Sequence, residues 1–120
     1  MSNYKDLLAY KRAFKLALDI FKITRRFPKE ELYSLTDQIR RSSRSVCSNF
    51  AEAYRRRQYP KHFVAKLADC DAENTETGVW LDFAFAFKYI MQPEYDQLYK
   101  QRDEVGKLLS DMIKYPMKYC

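Results

Sequence analysis

Residues that break regular secondary structure are scarce in this chain, which has two glycines and four prolines among its 120 residues. A multi-stranded sheet needs glycine, asparagine or proline at its hairpin turns, and this composition leaves almost none. The prolines Pro28, Pro60, Pro93 and Pro116 divide the chain into long runs, in which Gly78 and Gly106 are isolated. The sequence therefore predicts an all-α fold.

Apolar residues recur at spacings of three and four, the period of an amphipathic α-helix, in four segments. The predicted helices span about residues 3–26, 35–57, 60–91 and 93–115. In the first helix a wide apolar stripe that includes Phe14 and Phe21 predicts contact with two neighbours. Four amphipathic helices with short connections favour an antiparallel up-down-up-down four-helix bundle. We expect one domain over residues 1–120.

The third predicted helix is apolar on two opposed sides, one of them centred on Phe63 and Leu67. Such a helix must be covered twice, whereas a four-helix bundle normally leaves one side of each helix in water. The second side therefore favours contact with another subunit, although an oblique neighbouring helix in a tightly packed monomer is the alternative. The candidate oligomer-interface residues are Val79, Phe83, Phe87 and Ile90.

Basic residues are concentrated in the first half of the chain. Residues 1–60 hold 14 Lys and Arg against 6 Asp and Glu, a balance of +8, whereas residues 61–120 hold 8 against 10, a balance of −2. This asymmetry predicts a positive surface for a polyanion or an acidic partner; an uneven solvated surface is the simpler alternative. The candidate nucleic-acid-binding residues are Lys11, Arg12, Lys15, Arg25, Arg26, Arg40, Arg44, Arg55, Arg56 and Arg57.

A polar stripe runs along the second predicted helix, beside the apolar side that contains Ile39 and Phe50. Its members are Gln38, Arg41, Ser45, Asn49 and Glu52. Groups of these types can pair across a helix contact, whereas burying them unpaired costs several kcal/mol. We interpret the stripe as a structural polar network between helices or subunits, and a solvated face is the alternative.

Three motifs in and before this helix carry a family resemblance. They are Phe27-Pro28-Lys29-Glu30-Glu31, Leu35-Thr36-x-Gln38-Ile39-Arg40-Arg41 and Ser45-Val46-x-Ser48-Asn49-Phe50-Ala51-Glu52. They resemble the four-helix bundle proteins encoded in intervening sequences of bacterial large-subunit ribosomal RNA genes, which usually read FP-x-E, LT-x-Q-I-R-R and S-I-P-x-N-I-A-E-G. With weaker matches on either side, the resemblance covers about residues 5–90.

The chain departs from the family pattern at three positions: Ser34 and Ala53 stand where glycine is usual, and Cys47 stands where proline is usual. The resemblance implies a small cytoplasmic bundle that assembles as a ring, typically a pentamer, without known catalysis. Relatives of the family include the accessory variability protein of diversity-generating retroelements. That relation implies a ring that works with a reverse transcriptase and binds nucleic acid.

Residues that could support catalysis are few. His62 is the one histidine, whereas a di-iron site in a bundle needs two Glu-x-x-His motifs. Cys47 and Cys70 have no histidine placed to activate them, and the chain contains no glycine-rich phosphate loop. We predict no enzymatic activity, no cofactor and no metal.

The three cysteines form no C-x-x-C pair, and the sequence shows no signal segment or membrane-spanning apolar run. We therefore expect a cytoplasmic protein without a membrane partner. The predicted function is a homo-oligomeric bundle, a pentamer by the family resemblance, that binds RNA or DNA through its basic surface. Binding should be nonspecific, because no base-reading module is visible. The alternative is a protein scaffold or accessory subunit that docks a nucleic-acid enzyme such as a reverse transcriptase.

Overall fold

The computed structural model describes residues 3–120, and over these residues the protein is all-helical. The α-helices are α1 (Leu8–Thr24), α2 (Leu35–Arg55), α3 (Pro60–Ala86) and α4 (Gln92–Lys114). Short 3₁₀ turns occupy Tyr4–Asp6, Lys29–Glu31 and Pro116–Lys118. Helices α1 and α3 each pack against α2 and α4, so α1 and α3 lie diagonally in a bundle of 45 × 25 × 22 Å. The predicted four helices are confirmed.

Helix α1 begins later than the sequence predicted. The Asn3 side chain accepts a hydrogen bond from the Lys5 N–H at 3.1 Å and caps a 3₁₀ turn. Leu7 is then extended, with φ −78° and ψ 138°, which interrupts the helical path. The continuous α-helix therefore starts at Leu8 rather than at residue 3.

Helix α3 ends at Ala86 rather than near residue 91. Lys88 adopts a left-handed conformation with φ 64°, and the Tyr89 N–H donates to the Ala84 carbonyl at 2.9 Å. This is the Schellman arrangement that closes many helices, and its left-handed position is usually glycine. Because a lysine occupies it here, the end of the helix could not be recognised from the sequence.

This turn decides which residues at the end of α3 reach the surface. Ile90 follows it and is 2% exposed in the core, so the assignment of Ile90 to an outward-facing interface is wrong. Val79, Phe83 and Phe87 precede the turn and are 43%, 45% and 51% exposed. These three residues remain available to a partner.

The apolar core forms two clusters along the length of the bundle. The face of α2 that the sequence assigned to the core is buried as expected, through Leu35, Ile39, Val46, Phe50 and Ala53. Between the clusters, the buried hydroxyls of Ser42 and Thr77 lie 2.8 Å apart and join α2 to α3. A satisfied polar contact at this depth fixes the register of the two helices.

Candidate nucleic-acid interface

An apolar groove runs along the outside of the bundle between α1 and α2, with a volume of about 550 Å³. The main residues that line it are Tyr10, Phe14, Ala17, Leu18, Phe21, Arg44 and Cys47. Helix α1 does contact two neighbours, as its wide stripe predicted, but mainly through the side that contains Leu16 and Ile20. Phe14 and Phe21 are 45% and 39% exposed, and the Phe21 ring meets α2 through the guanidinium groups of Arg40 and Arg44. We call this feature the α1–α2 groove.

A second hollow of about 530 Å³ adjoins the groove, and its charged lining consists of three arginines of α2, Arg40, Arg41 and Arg44, and one carboxylate, Asp37. Tyr33, which is exposed, forms part of its wall, and Arg44 borders both features. We call it the arginine hollow. Its walls supply guanidinium groups and an aromatic ring, the groups that bind phosphates and stack on bases.

Arg25 and Arg44 both lie close enough to Arg40 to act on its charge. Partial burial of Arg40 lowers its pKa, and the positive charges of Arg44 and Arg25 lower it further. The Arg40 guanidinium is fixed by a 2.8 Å hydrogen bond from Nε to Thr24 Oγ1 and lies 4.6 Å from the centre of the Phe21 ring. A bound anion would relieve the repulsion among these cations.

Several of the basic residues that the sequence nominated are held in ion pairs instead. Arg12 pairs with Glu104 at 3.5 Å and Lys15 with Asp19 at 2.7 Å. Arg26 pairs with Glu94 at the start of α4. Within residues 3–120, the nominated residues without an ion pair are Lys11, Arg25, Arg40, Arg44, Arg55, Arg56 and Arg57.

The arginines at the end of α2 form a separate group. Arg55 is eleven residues from Arg44, about 16 Å along a helix that rises 1.5 Å per residue. This distance exceeds the Debye length of about 10 Å at 0.1 M salt. Arg57 is also engaged locally, because its Nε donates to the Tyr54 carbonyl at 2.9 Å and its guanidinium lies 3.6 Å from the centre of the Tyr54 ring. The structure therefore separates Arg55, Arg56 and Arg57 from the arginines at the other end of α2.

The polar stripe of α2 lies along its boundary with α3. Arg41 contacts Glu76 at 3.0 Å and Glu73 at 3.9 Å, and Glu52 contacts Lys66 at 2.9 Å. These contacts join two helices of the same copy, and the side chains of Arg41 and Glu52 remain 48% and 57% exposed. Arg41 therefore forms ion pairs with α3 at this boundary and also lines the arginine hollow.

The two cysteines within the bundle are protonated thiols at neutral pH. Burial raises the pKa of Cys47 to about 11 and that of Cys70 to about 12. A nucleophilic cysteine needs a thiolate, which both environments disfavour. Among residues 3–120, no cluster of three or more His, Cys, Asp or Glu is arranged to hold a metal ion. Nor does any described helix have the length and hydropathy to span a membrane.

Residues 5–111 match the family model for the 23S rRNA-intervening sequence protein. The chain belongs to this family. A solved structure from Bacteroides thetaiotaomicron VPI-5482, described as a protein with unknown function from the S23 ribosomal protein family, is 28% identical and superposes with a TM-score of 0.83. The match covers 92% of this chain and 98% of that one. Comparison with curated proteins finds no match.

One of the family-like motifs contributes residues to the candidate site. The family-like motif from Leu35 to Arg41 supplies Arg40 and Arg41 to the arginine hollow. Two residues of these features were not predicted from the sequence: Tyr33 in the arginine hollow and Leu18 in the α1–α2 groove. Leu18 lies off the main apolar stripe of α1, and that off-stripe position was the available signal of a second apolar surface. Tyr33 precedes α2 in an irregular connection, where periodicity carries no information.

Proposed function

We propose that this protein is a non-enzymatic homo-oligomer that binds nucleic acid without sequence preference, chiefly through the arginine hollow. The observation that carries the proposal is the grouping of Arg25, Arg40 and Arg44 without a carboxylate ion pair among the described residues. A phosphate backbone supplies negative charge at regular spacing, and each contact releases condensed counterions. The +8 balance of residues 1–60 would favour approach of any nucleic acid.

The proposal includes the arrangement and assembly of the bundle. An antiparallel up-down-up-down order is supported by contacts of α1 with α4, since Arg12 meets Glu104 whereas Arg26 meets Glu94. The exposed apolar side of α3 supports self-association, because large apolar patches on a surface mark interaction sites. A pentameric ring in the cytoplasm is what the family resemblance implies, and such a ring would present the arginine hollow several times and gain avidity.

The test is the salt dependence of binding to a single-stranded oligonucleotide. Arg25→Ala with Arg44→Ala removes two exposed cations that act on Arg40: Arg44, which lines the arginine hollow, and Arg25, which lies outside its lining. We expect weaker binding to all sequences alike and a log–log salt slope that is shallower by about 1.4, since each single-strand contact contributes about 0.7. Arg55→Ala with Arg56→Ala is the matched control, because it removes the same charge from the separate group and should change the slope less.

Two results would overturn this proposal. If the wild-type protein binds neither RNA nor DNA at low salt, the surface does not serve nucleic acid. If the two double variants weaken binding equally, the arginine hollow is not the main site.

A protein partner is the second candidate. Leu32 and Tyr33 are 46% and 92% exposed beside the arginines of the hollow. Arginine and aromatic side chains together are typical of protein interfaces. An acidic partner such as a reverse transcriptase or another nucleic-acid enzyme would fit this surface. Loss of partner binding in the Arg25→Ala and Arg44→Ala variant, with no binding of bare nucleic acid by the wild type, would favour this function.

A further inference from the structure

The side of α3 that points away from the bundle is exposed along its whole length. Its apolar members, which we call the outer face, are Ala65, Ala68, Ala72, Val79, Phe83 and Phe87. The alanines allow another helix to approach closely, while Phe83 and Phe87 form a projecting pair with ring centroids 5.8 Å apart. A projecting pair of rings on a smooth helix has the shape that fills a groove.

The α1–α2 groove is the matching concave surface, and its α1 wall lies diagonally across the bundle from α3. It is lined by exposed aromatic and aliphatic side chains, and its volume of about 550 Å³ is ample for two aromatic rings. The chain therefore has two exposed apolar surfaces of different shape. Neither surface covers the other within one copy, because the groove lies between α1 and α2 whereas the outer face is the side of α3 that points away from the bundle.

Charge decides how two copies would pair these surfaces. Over residues 65–87, the span of the outer face, the chain contains five carboxylates and one basic residue, Lys66. Glu73 and Glu76 pair with Arg41 of α2, whereas Asp69 and Asp82 are exposed, so the region keeps a negative balance. The groove is bordered by cations, since Arg44 lines its α2 wall and the Arg40 guanidinium lies 4.6 Å from the centre of the Phe21 ring. Two outer faces together would oppose like charges, and so would two grooves, whereas an outer face against a groove opposes unlike charges.

We infer that the outer face of α3 in one copy docks in the α1–α2 groove of a second copy. This inference rests on the self-association in the proposed function and names the two surfaces that perform it. One contact covers Phe14, Leu18 and Phe21 of one copy and Val79, Phe83 and Phe87 of the next. Because the two surfaces differ, the contact repeats from copy to copy and either closes into a ring or continues as a filament.

The experiment uses two variants, each with one surface disabled. Leu18→Asp places a charge in the groove, and Phe83→Asp places one on the outer face; both side chains are about half exposed, so the fold should persist. Each variant alone should sediment near the 14.4 kDa monomer mass. Mixed in equal amounts at a concentration where the wild type is fully assembled, they should form a heterodimer of twice that mass. Each variant contributes the intact surface that the other lacks.

Either variant keeping the wild-type mass would overturn the inference, and so would a mixture that stays monomeric. Helicity by circular dichroism checks each fold, and Phe14→Asp with Phe87→Asp provides a second pair if a variant unfolds. A monomeric wild type would contradict the proposed self-association itself. An oligomeric wild type whose variants fail to complement each other would reject only the pairing of these surfaces.

Discussion

Helix α3 has two apolar faces that differ in their surroundings. On its inner side Phe63, Leu67 and Leu81 are at most 1% exposed, whereas Val79 and Phe83 on the outer face are 43% and 45% exposed. The residue types are alike, so hydropathy does not separate the two faces. What separates them is that α2 and α4 flank the inner side and leave the outer side open. An apolar pattern shows that a surface will be covered, but neighbouring helices determine what covers it.

A substitution on the inner side of α3 should have the largest effect on stability. Leu67→Ala should lower the free energy of unfolding by about 2–5 kcal/mol, because it removes a fully buried side chain and leaves a cavity. The measurement is urea denaturation followed by circular dichroism. It should be made in the Phe87→Asp background, where assembly does not contribute to stability. Val79→Ala in the same background is the control, and a loss there equal to that of Leu67→Ala would erase the distinction between the two faces.

A substitution in the turn that follows α3 should change the stability by less than Leu67→Ala, and in the opposite direction. Lys88 has φ 64°, a conformation that costs a residue with a side chain about 1–2 kcal/mol. Lys88→Gly removes this strain, and greater freedom of glycine in the unfolded chain offsets part of the gain, so we expect stabilisation of about 0.5–1 kcal/mol. Thermal denaturation measures it. A lower melting temperature would mean that Lys88 stabilises the turn through its side chain.

The boundary between α2 and α3 should give the smallest effect. Glu52 pairs with Lys66 at 2.9 Å, but the Glu52 side chain is 57% exposed. Glu52→Ala should therefore change the free energy of unfolding by no more than about 0.5 kcal/mol, and less at high salt. From the sequence alone, the interpretation of the stripe as a network between helices or subunits predicted that Glu52→Ala lowers the free energy of unfolding by a few kcal/mol. A loss of that size would indicate that a second copy covers Glu52.

The sequence predicted those features of the fold that depend on local periodicity. The core face of α2 is an example, since Ile39 and Phe50 follow the helical spacing and are buried. The end of α3 was not predictable, because Lys88 lacks the glycine that marks such turns. At the candidate site, the arginine content predicted a basic surface but not which of its residues are free of ion pairs. Arg12 and Arg26 pair with carboxylates of α4 through tertiary contacts, and Lys15 pairs with Asp19 in its own helix.

The most direct test uses Trp80, the one tryptophan, whose ring lies 6.0 Å from that of Phe83 at the edge of the outer face. Acrylamide quenching of its fluorescence should be compared between the wild type and Leu18→Asp, whose substitution lies on the diagonally opposite helix. If the groove of a second copy covers the outer face, quenching should increase in Leu18→Asp to the level of Phe87→Asp. Equal quenching in Leu18→Asp and the wild type would contradict the account, because the groove would then not cover the outer face of α3.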